Sequence, residues 1–248
     1  MRQVWLTRPA GQADKLELAL LELGFNVLHI PMLEIEPLKY DGALKTRILN
    51  LDQYDLAFFI SSNAAKLGME CVHDYWPQYP AHLKNFALGP TSAAVLQSYD
   101  LEVSFPESIM SSEAVLELPA LARELSRAEP KRVVIFRGEG GREALAEGLI
   151  EKGASVEYIE LYRRNIPSYE SQYLSACMQS SKPDAVVISS AEALDNFSTI
   201  FTSTASLYSL PLYVSSPRLK ELALAKGFDT ITVMPAANDA AVLAALSG

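Results

Sequence analysis

Two stretches decide the fold of this chain: RQVWLTRPAGQ at residues 2–12 and KRVVIFRGEGG at residues 131–141. They open a repeat in which residues 2–34 align with residues 131–163 without a gap, at a constant offset of 129. Nine of the thirty-three aligned pairs are identical: Val4/Val133, Arg8/Arg137, Gly11/Gly140, Leu16/Leu145, Leu20/Leu149, Glu22/Glu151, Gly24/Gly153, Val27/Val156 and Ile30/Ile159. Solenoid repeats are only roughly 20–50 residues long, so this period indicates two copies of one larger unit.

The repeat continues toward the end of each copy. Further matches join Ile60-Ser61-Ser62 to Ile188-Ser189-Ser190, and Ala114-Val115-Leu116 to Ala241-Val242-Leu243. Short β-rich runs such as Leu56–Ile60 and Ser155–Tyr158 alternate with amphipathic segments such as Ala13–Leu23, a pattern typical of βαβ units with parallel strands. We therefore predict an α/β protein of two parallel-sheet lobes from an internal duplication, with a ligand most simply placed in the cleft between them.

Composition and charge limit the possible binding partners and the expected location of the protein. A net charge of −9 argues against general nucleic-acid binding, which requires a basic face. No apolar run is long enough for a membrane span, and the first residues lack the pattern of a signal peptide, so we expect a cytoplasmic protein. Cys71 and Cys177 lie in no metal-ligand or redox spacing, and they are expected to be reduced, buried thiols. No metal site is predicted.

Six predicted loops at the carboxyl ends of strands are small, hydroxyl-rich or glycine-rich. They are residues 7–11, 61–64, 89–92, 137–142, 189–191 and 215–218. Ligands of open α/β sheets bind at these ends, and short side chains leave backbone N–H groups free to bind carboxylates or phosphates. The alternative is that the Ser, Thr and Asn side chains only cap helices. Both interpretations stay open from the residues alone.

The glycine-rich loop at residues 137–142 invites comparison with a dinucleotide fingerprint. Its glycines are spaced G-x-G-G, however, and the third glycine of the G-x-G-x-x-G pattern is missing. The sequence also lacks a Walker lysine motif and a Gly-x-Ser-x-Gly elbow, and none of its three histidines falls in the candidate loops. Nucleotide binding and base-assisted hydrolysis are therefore disfavoured.

Several motifs, taken in order along the chain, resemble the uroporphyrinogen-III synthase family. They are Leu6-Thr7-Arg8-Pro9, Phe59-Ile60-Ser61-Ser62-Asn63-Ala64, Ala87-Leu88-Gly89-Pro90-Thr91-Ser92, Arg137-Gly138-Glu139-Gly140-Gly141-Arg142-Glu143, Tyr162-Arg163-Arg164 and Asn238-Asp239-Ala240. The resemblance covers essentially the whole chain, and the first and fourth motifs are its most specific pair. It implies two flavodoxin-like lobes joined by two extended linkers.

The same resemblance implies how the chain is divided. The first lobe would be discontinuous, with residues 1–35 and 168–248, and the second would span residues 40–163. The linkers would lie at about residues 36–39 and 164–167, where prolines bracket extended segments. The repeat alone does not distinguish this arrangement from two sequential lobes.

The implied reaction closes linear hydroxymethylbilane to uroporphyrinogen III, with loss of water and inversion of ring D, without metal or cofactor. A monomer is implied as well. Tyr162 matches the linker tyrosine of the family and is the candidate proton donor. The candidate substrate-binding residues are Arg8, Ser61, Ser62, Asn63, Gly89, Thr91, Ser92, Arg137, Gly138, Gly140, Arg142, Ser189, Ser190 and Ser216. The three arginines would contact substrate carboxylates or, alternatively, pair with neighbouring glutamates.

One departure and one alternative accompany this interpretation. Ser215-Ser216-Pro217-Arg218 stands where some family members have Gly-Pro-Thr-Thr, which puts a threonine hydroxyl role in that loop in doubt. The alternative function, from a different class, is a cytosolic two-lobed protein that binds or senses a small anion. Turnover of the bilane distinguishes the two.

Overall fold

The computed structural model describes residues 2–39, 41–107, 110–126, 129–180, 182–202 and 207–247. The chain divides into two compact units. Unit 1 comprises Met1–Ile35 with Arg164–Gly248, and unit 2 comprises Glu36–Arg163. In the described residues no helix combines the length and apolar character needed to cross a membrane.

Strands and helices alternate along most of the chain. The strands are β1 (Gln3–Leu6), β2 (Asn26–His29), β3 (Glu34–Pro37), β4 (Leu56–Phe59), β5 (Lys84–Ala87), β6 (Val103–Ser104), β7 (Arg132–Gly138), β8 (Ser155–Asn165), β9 (Ala185–Ile188), β10 (Leu212–Val214) and β11 (Ile231–Val233). The helices are α1 (Asp14–Glu22), α2 (Gly42–Leu49), α3 (Ser62–Tyr75), α4 (Pro90–Gln97), α5 (Ser112–Leu116), α6 (Pro119–Leu125), α7 (Ala144–Glu151), α8 (Ser171–Ser180), α9 (Ala191–Ile200), α10 (Pro217–Ala225) and α11 (Asp239–Ser247).

The sheet of unit 1 has five strands in the order β11-β10-β9-β1-β2, and its described pairs are all parallel. Every residue of β9 is buried, as expected for a strand covered on both faces. Alternate residues of β1 pack in two different hydrophobic cores. Trp5 packs in one core with Phe197, and Val4 packs in the other with Leu16.

The sheet of unit 2 has six strands in the order β3-β8-β7-β4-β5-β6. Its central strand β4 is fully buried, and the register of β7 against β8 shifts between Arg137 and Gly138, so that Gly138 pairs with Tyr162. This bulge leaves one extra residue, Leu161, in β8. Bulges of this kind change the direction of the side chains that follow, and they are frequent next to functional sites.

Apart from the additional edge strand β3 of unit 2, the two sheets have the same strand order once strands are matched through the sequence repeat. By sequence, β1 and β2 correspond to β7 and β8, and β9, β10 and β11 correspond to β4, β5 and β6. Each unit therefore combines the first two strands of one copy with the last three of the other. Within each unit the order is 2-1-3-4-5, the doubly wound order of flavodoxin-like sheets. The α/β class with parallel sheets is confirmed.

Local sequence explains where the helices begin and end. Ser61, Ser111, Ser190 and Ser216 are N-caps whose hydroxyl oxygens accept a hydrogen bond from a backbone N–H in the first turn. Gly24 and Gly153, one of the repeat's identical pairs, follow α1 and α7 with φ of 82° and 87°. That conformation is readily adopted only by glycine, so both helices end at the same position of the repeat.

The structure differs from the sequence-based prediction in two respects. Strand β8 was predicted over Ser155–Tyr158 but continues to Asn165, because beyond the bulge it still has neighbours in β7 and β3. Helices α2, α6 and α8 were not predicted. Two of them bury few side chains: Leu44 and Ile48 in α2, and Leu121 in α6.

Candidate functional site

The centre of the candidate site in unit 2 is a contact between two hydroxyl groups. Tyr162 lies on β8 after the bulge, and its hydroxyl oxygen is 2.9 Å from Oγ of Ser61. Ser61 is the N-cap of α3, and the same Oγ accepts from the backbone N–H of Ala64 at 3.0 Å. Tyr162 is 4% exposed, whereas Ser61 is only half-buried. The tyrosine hydroxyl is therefore connected to the surface through the serine.

Gly138 provides the space for the Tyr162 ring. A Cβ atom at Gly138 would lie 2.6 Å from Cε2 and 2.7 Å from Cζ of Tyr162, closer than real side chains approach. The backbone N–H of Glu139 also donates to the carbonyl of Tyr162 at 2.7 Å. The glycine-rich loop thus fixes both the ring and the main chain of this tyrosine.

The side chain of Arg137 is buried and is held by contacts within the protein. Its side chain is 2% exposed, and the guanidinium donates to Glu143 Oε1 at 3.0 Å, to the carbonyl of Gly138 at 3.2 Å and to the carbonyl of Gly140. It also lies over the ring of Tyr158, 4.5 Å from its centroid. Of the two contacts predicted for Arg137, the structure shows the pairing with a glutamate.

Glu143 and Tyr158 complete this cluster, and neither was predicted from the sequence as a site residue. The Tyr158 hydroxyl donates to Glu143, which lowers the pKa of that carboxyl; burial acts in the opposite direction, and Arg137 lowers it further. Burial, together with the Glu143 carboxylate, raises the pKa of Tyr158 to about 12. The available signal was the position of Glu143, six residues after Arg137 in one motif.

The remaining predicted residues of unit 2 lie around the starts of α3, α4 and α7. Ser62 and Asn63 form the half-buried first turn of α3, and Gly89 is the buried N-cap of α4. Thr91 is exposed and Ser92 is 5% exposed in the first turn of α4. Gly140, with φ of 67°, and the exposed Arg142 precede α7.

In unit 1 the predicted residues lie at the carboxyl ends of β1, β9 and β10. Arg8 follows β1 and bonds the carboxylate of Asp239 and, at 2.6 Å, the carbonyl of Ala237. The serines here are occupied as caps and turns: Ser190 caps α9, Ser216 caps α10, and the carbonyl of Ser189 accepts from Ser215 at 3.0 Å. Asp239, the partner of Arg8, was not predicted as a site residue.

Taken together, the strand-end loops present hydroxyls, helix-start amides and the exposed guanidinium groups of Arg142 and Arg218. In the part of the chain that the structure describes, no group of three or more His, Cys, Asp or Glu side chains could hold a metal ion. Such donors bind anionic groups and transfer a proton from a hydroxyl, and they fix the conformation of a substrate by many modest hydrogen bonds.

Comparison with known proteins gives a consistent result. The family model described as uroporphyrinogen-III synthase HemD matches residues 14–244. The uroporphyrinogen-III synthase of Escherichia coli (strain K12) is 30% identical over 250 residues, covering 98% of this chain and 99% of that protein. The enzyme of the same name from Salmonella typhimurium is 29% identical over 250 residues, with the same coverage.

Solved structures agree at the level of the fold. A mutant uroporphyrinogen III synthase from Thermus thermophilus superposes with a TM-score of 0.62 at 15% identity, covering 100% of this chain and 98% of that one. The uroporphyrinogen-III synthetase of Helicobacter pylori gives a TM-score of 0.60 at 16% identity, with 100% and 99% coverage.

Proposed function

The chain belongs to the uroporphyrinogen-III synthase family, and from that premise we propose how its own residues take part in the reaction. The enzyme cyclises hydroxymethylbilane to uroporphyrinogen III, with loss of water and inversion of ring D, in tetrapyrrole biosynthesis. The observation that carries this function is the family match over residues 14–244. The residue roles that follow are proposals supported by the geometry.

Tyr162 is proposed as the proton donor for the departing hydroxyl group. Its support is the 2.9 Å contact with Ser61, because a buried tyrosine next to a half-buried serine can pass a proton outward along two hydroxyls. The pyrrole nitrogen assists loss of hydroxide from the bilane, so only a mild acid is needed. The larger task is to hold the chain so that the terminal ring is attacked at its substituted carbon.

The proposed substrate-binding residues form the loops that receive the substrate carboxylates, since the bilane carries acetate and propionate groups on every ring. They are Arg8, Ser61, Ser62, Asn63, Gly89, Thr91, Ser92, Arg137, Gly138, Gly140, Arg142, Ser189, Ser190 and Ser216. Within this set Arg142 has the exposed guanidinium. Arg8 and Arg137 are engaged with protein carbonyls and carboxylates, so their part is to hold the loops that carry the other donors.

The product isomer tests the function. Purified protein is incubated with freshly made hydroxymethylbilane, and the type I and type III uroporphyrinogens are separated after oxidation. Spontaneous closure gives the uninverted type I isomer, so we expect type III product in excess and a rate above the background. Type I product alone, at the spontaneous rate, would contradict the function and favour a protein that binds a small anion without turnover.

Domain division, oligomeric state and location are also proposals. We propose residues 1–35 with 168–248 and residues 40–163 as functional lobes, with linkers at about 36–39 and 164–167; the support is the division of contacts after Ile35 and Arg163. A monomer in the cytoplasm that does not bind nucleic acid is proposed from the family resemblance and the net charge of −9. Light scattering tests the monomeric state, and cell fractionation tests the cytoplasmic location.

A further inference from the structure

The two units differ in the partner of one arginine that is equivalent in the two copies of the repeat. Arg8 and Arg137 are equivalent in the repeat: Arg8 lies just after β1, and Arg137 lies near the end of β7, the strand that corresponds to β1. In unit 1, Arg8 reaches Asp239, the first residue of α11. The equivalent of Asp239 in unit 2 is Ser112, because Asn238 and Ser111 occupy the same capping position before α11 and α5. Arg137 therefore meets no carboxylate there.

Unit 2 instead has a cavity of about 180 Å³ between the loop of Arg137 and the start of α5. Its apolar wall comes from the strand ends and α7, through Ile60, Leu88, Ile135 and Leu145. Its polar side comes from Ser111, Ser112, Arg137 and Arg142. Tyr158 also lines this cavity, whereas Tyr162 does not.

The charge at this cavity comes from Arg142. The guanidinium of Arg137 is neutralised by Glu143 at 3.0 Å and further occupied by two carbonyls, whereas Arg142 is an exposed lining residue. The carboxylate that interacts electrostatically with Arg142 is that of Glu113, which is exposed to solvent. Ser111 caps α5 and also hydrogen-bonds Glu113, so the hydroxyl of Ser111 is already engaged.

Size and lining together define the ligand. Sites for drug-sized ligands measure roughly 300–1,000 Å³, so this cavity accepts a single ring with a short chain and not a whole tetrapyrrole. The apolar wall suits the ring, and the cation at the rim suits one carboxylate. We infer that unit 2 carries a binding site for one ring bearing a short carboxylate chain, with the ring against Ile60, Leu88 and Leu145 and the carboxylate at Arg142.

Two kinds of molecule carry a ring with a short carboxylate chain. One is an end ring of the bilane substrate, in which case the inference rests on the proposed function and describes a subsite of it. The other is a free monocyclic acid that binds independently of turnover. The site itself is the same in both cases.

The test uses 3-phenylpropionate as the probe and the neutral 3-phenylpropanamide as its matched control. Binding to the full chain is followed by methyl NMR of Ile60, Leu88 and Leu145 and by calorimetry. We expect shifts at these methyls with the acid and clearly weaker binding of the amide. Arg142→Gln should weaken binding of the acid about 5- to 10-fold, as loss of a charge-assisted contact implies. Arg132→Gln, which removes an exposed cation at the opposite end of β7, should leave binding unchanged.

Two outcomes would overturn the site: no methyl shifts with the acid, or equal effects of Arg142→Gln and Arg132→Gln. Kinetics then distinguishes a substrate ring from a free acid as the natural ligand. Either of the following results supports the site. A rise in the apparent KM for hydroxymethylbilane with added probe indicates a substrate ring, and an unchanged KM indicates a free acid. The type III yield of the unmodified protein without probe tests the proposed function separately, so failure of one is not mistaken for failure of the other.

Discussion

The hydroxyl of Tyr162 lies 2.9 Å from Oγ of Ser61, which joins two residues 101 positions apart in the chain. Ser61 belongs to the first copy of the repeat and Tyr162 to the second, yet both lie in unit 2. The contact exists because the copies exchange halves and because the bulge at Gly138 changes the register of β8. The candidate proton donor is thus positioned by contacts between residues that are far apart in the sequence.

A double-mutant cycle measures this contact. We expect Tyr162→Phe to cost about 1 kcal/mol of unfolding free energy, because a neutral hydrogen bond contributes that much. Ser61→Ala should cost about 1–2 kcal/mol, because it also removes the cap of α3. The coupling should be about 0.5–1 kcal/mol. Urea unfolding gives these values. If Tyr162 is the proton donor, Tyr162→Phe also lowers kcat, by about 10- to 100-fold.

The matched control for the hydroxyl is Tyr169→Phe in unit 1. The Tyr169 hydroxyl donates to the carbonyl of Pro31 at 2.7 Å, so its removal should lower stability by a similar amount and leave kcat unchanged. Additive stability effects at Tyr162 and Ser61, with equal kcat for the two phenylalanine variants, would contradict the assigned role.

Gly138→Ala tests the close approach of the loop to Tyr162. The new Cβ would lie 2.6 Å from Cε2 of the ring, so we expect a loss of about 1–3 kcal/mol from overpacking and a lower type III yield as the hydroxyl moves. Thermal unfolding and isomer analysis measure the two effects.

Gly42→Ala is the control for the alanine substitution itself. Gly42 begins α2 and has nothing within 4 Å of its potential Cβ, so the variant should be neutral or more stable by about 0.4–1 kcal/mol. Identical behaviour of Gly138→Ala and Gly42→Ala would show that the ring of Tyr162 is not held by the loop.

Arg137→Leu separates a structural arginine from a substrate-binding one. Loss of the guanidinium leaves Glu143 and two loop carbonyls without their donor, so we expect the variant to lose about 2–3 kcal/mol of stability. Arg142→Leu, at an exposed position, should change stability by less than about 0.5 kcal/mol. Unchanged melting of Arg137→Leu together with a raised KM would instead indicate that Arg137 contacts the bilane.

Asp55→Asn tests a pH-dependent contribution to the stability of unit 2. Burial acts to raise the pKa of Asp55, but hydrogen bonds from the backbone N–H of Arg132 and from Lys131 outweigh it and lower the pKa. A lowered folded-state pKa gives stability that is present above the unfolded value of about 4 and is lost as the pH falls through the folded value.

We therefore expect Asp55→Asn to be less stable than the parent at neutral pH, with the difference shrinking as the pH falls below about 4. Urea unfolding across this range measures the difference. Lys131→Met removes one of the two donors, so it should reduce the difference without abolishing it. A difference that stays constant with pH would mean that the carboxylate charge plays no part.

Sequence patterns predicted a large part of the fold and a smaller part of the site. The buried run of β4 and the Gly24/Gly153 pair are local signals, and they placed strands and helix ends correctly. The predicted serines do lie at strand ends, where Ser61, Ser190 and Ser216 are helix caps. Composition of a loop does not reveal the direction of a side chain, however, so the internal position of Arg137 was not foreseen.

The sequence by itself determined the repeat, the α/β class and the resemblance to the family, because hydrophobic periodicity, glycine positions and motifs are properties of neighbouring residues. The repeat left open which half of one copy pairs with which half of the other, and the strand order of the tertiary structure decided it. Equivalent strands have equivalent apolar faces, so either pairing buries similar surface and the pattern does not distinguish them. The bulge at Gly138, the cluster around Arg137 and the contact of Tyr162 with Ser61 depend on that pairing, and they became visible only with it.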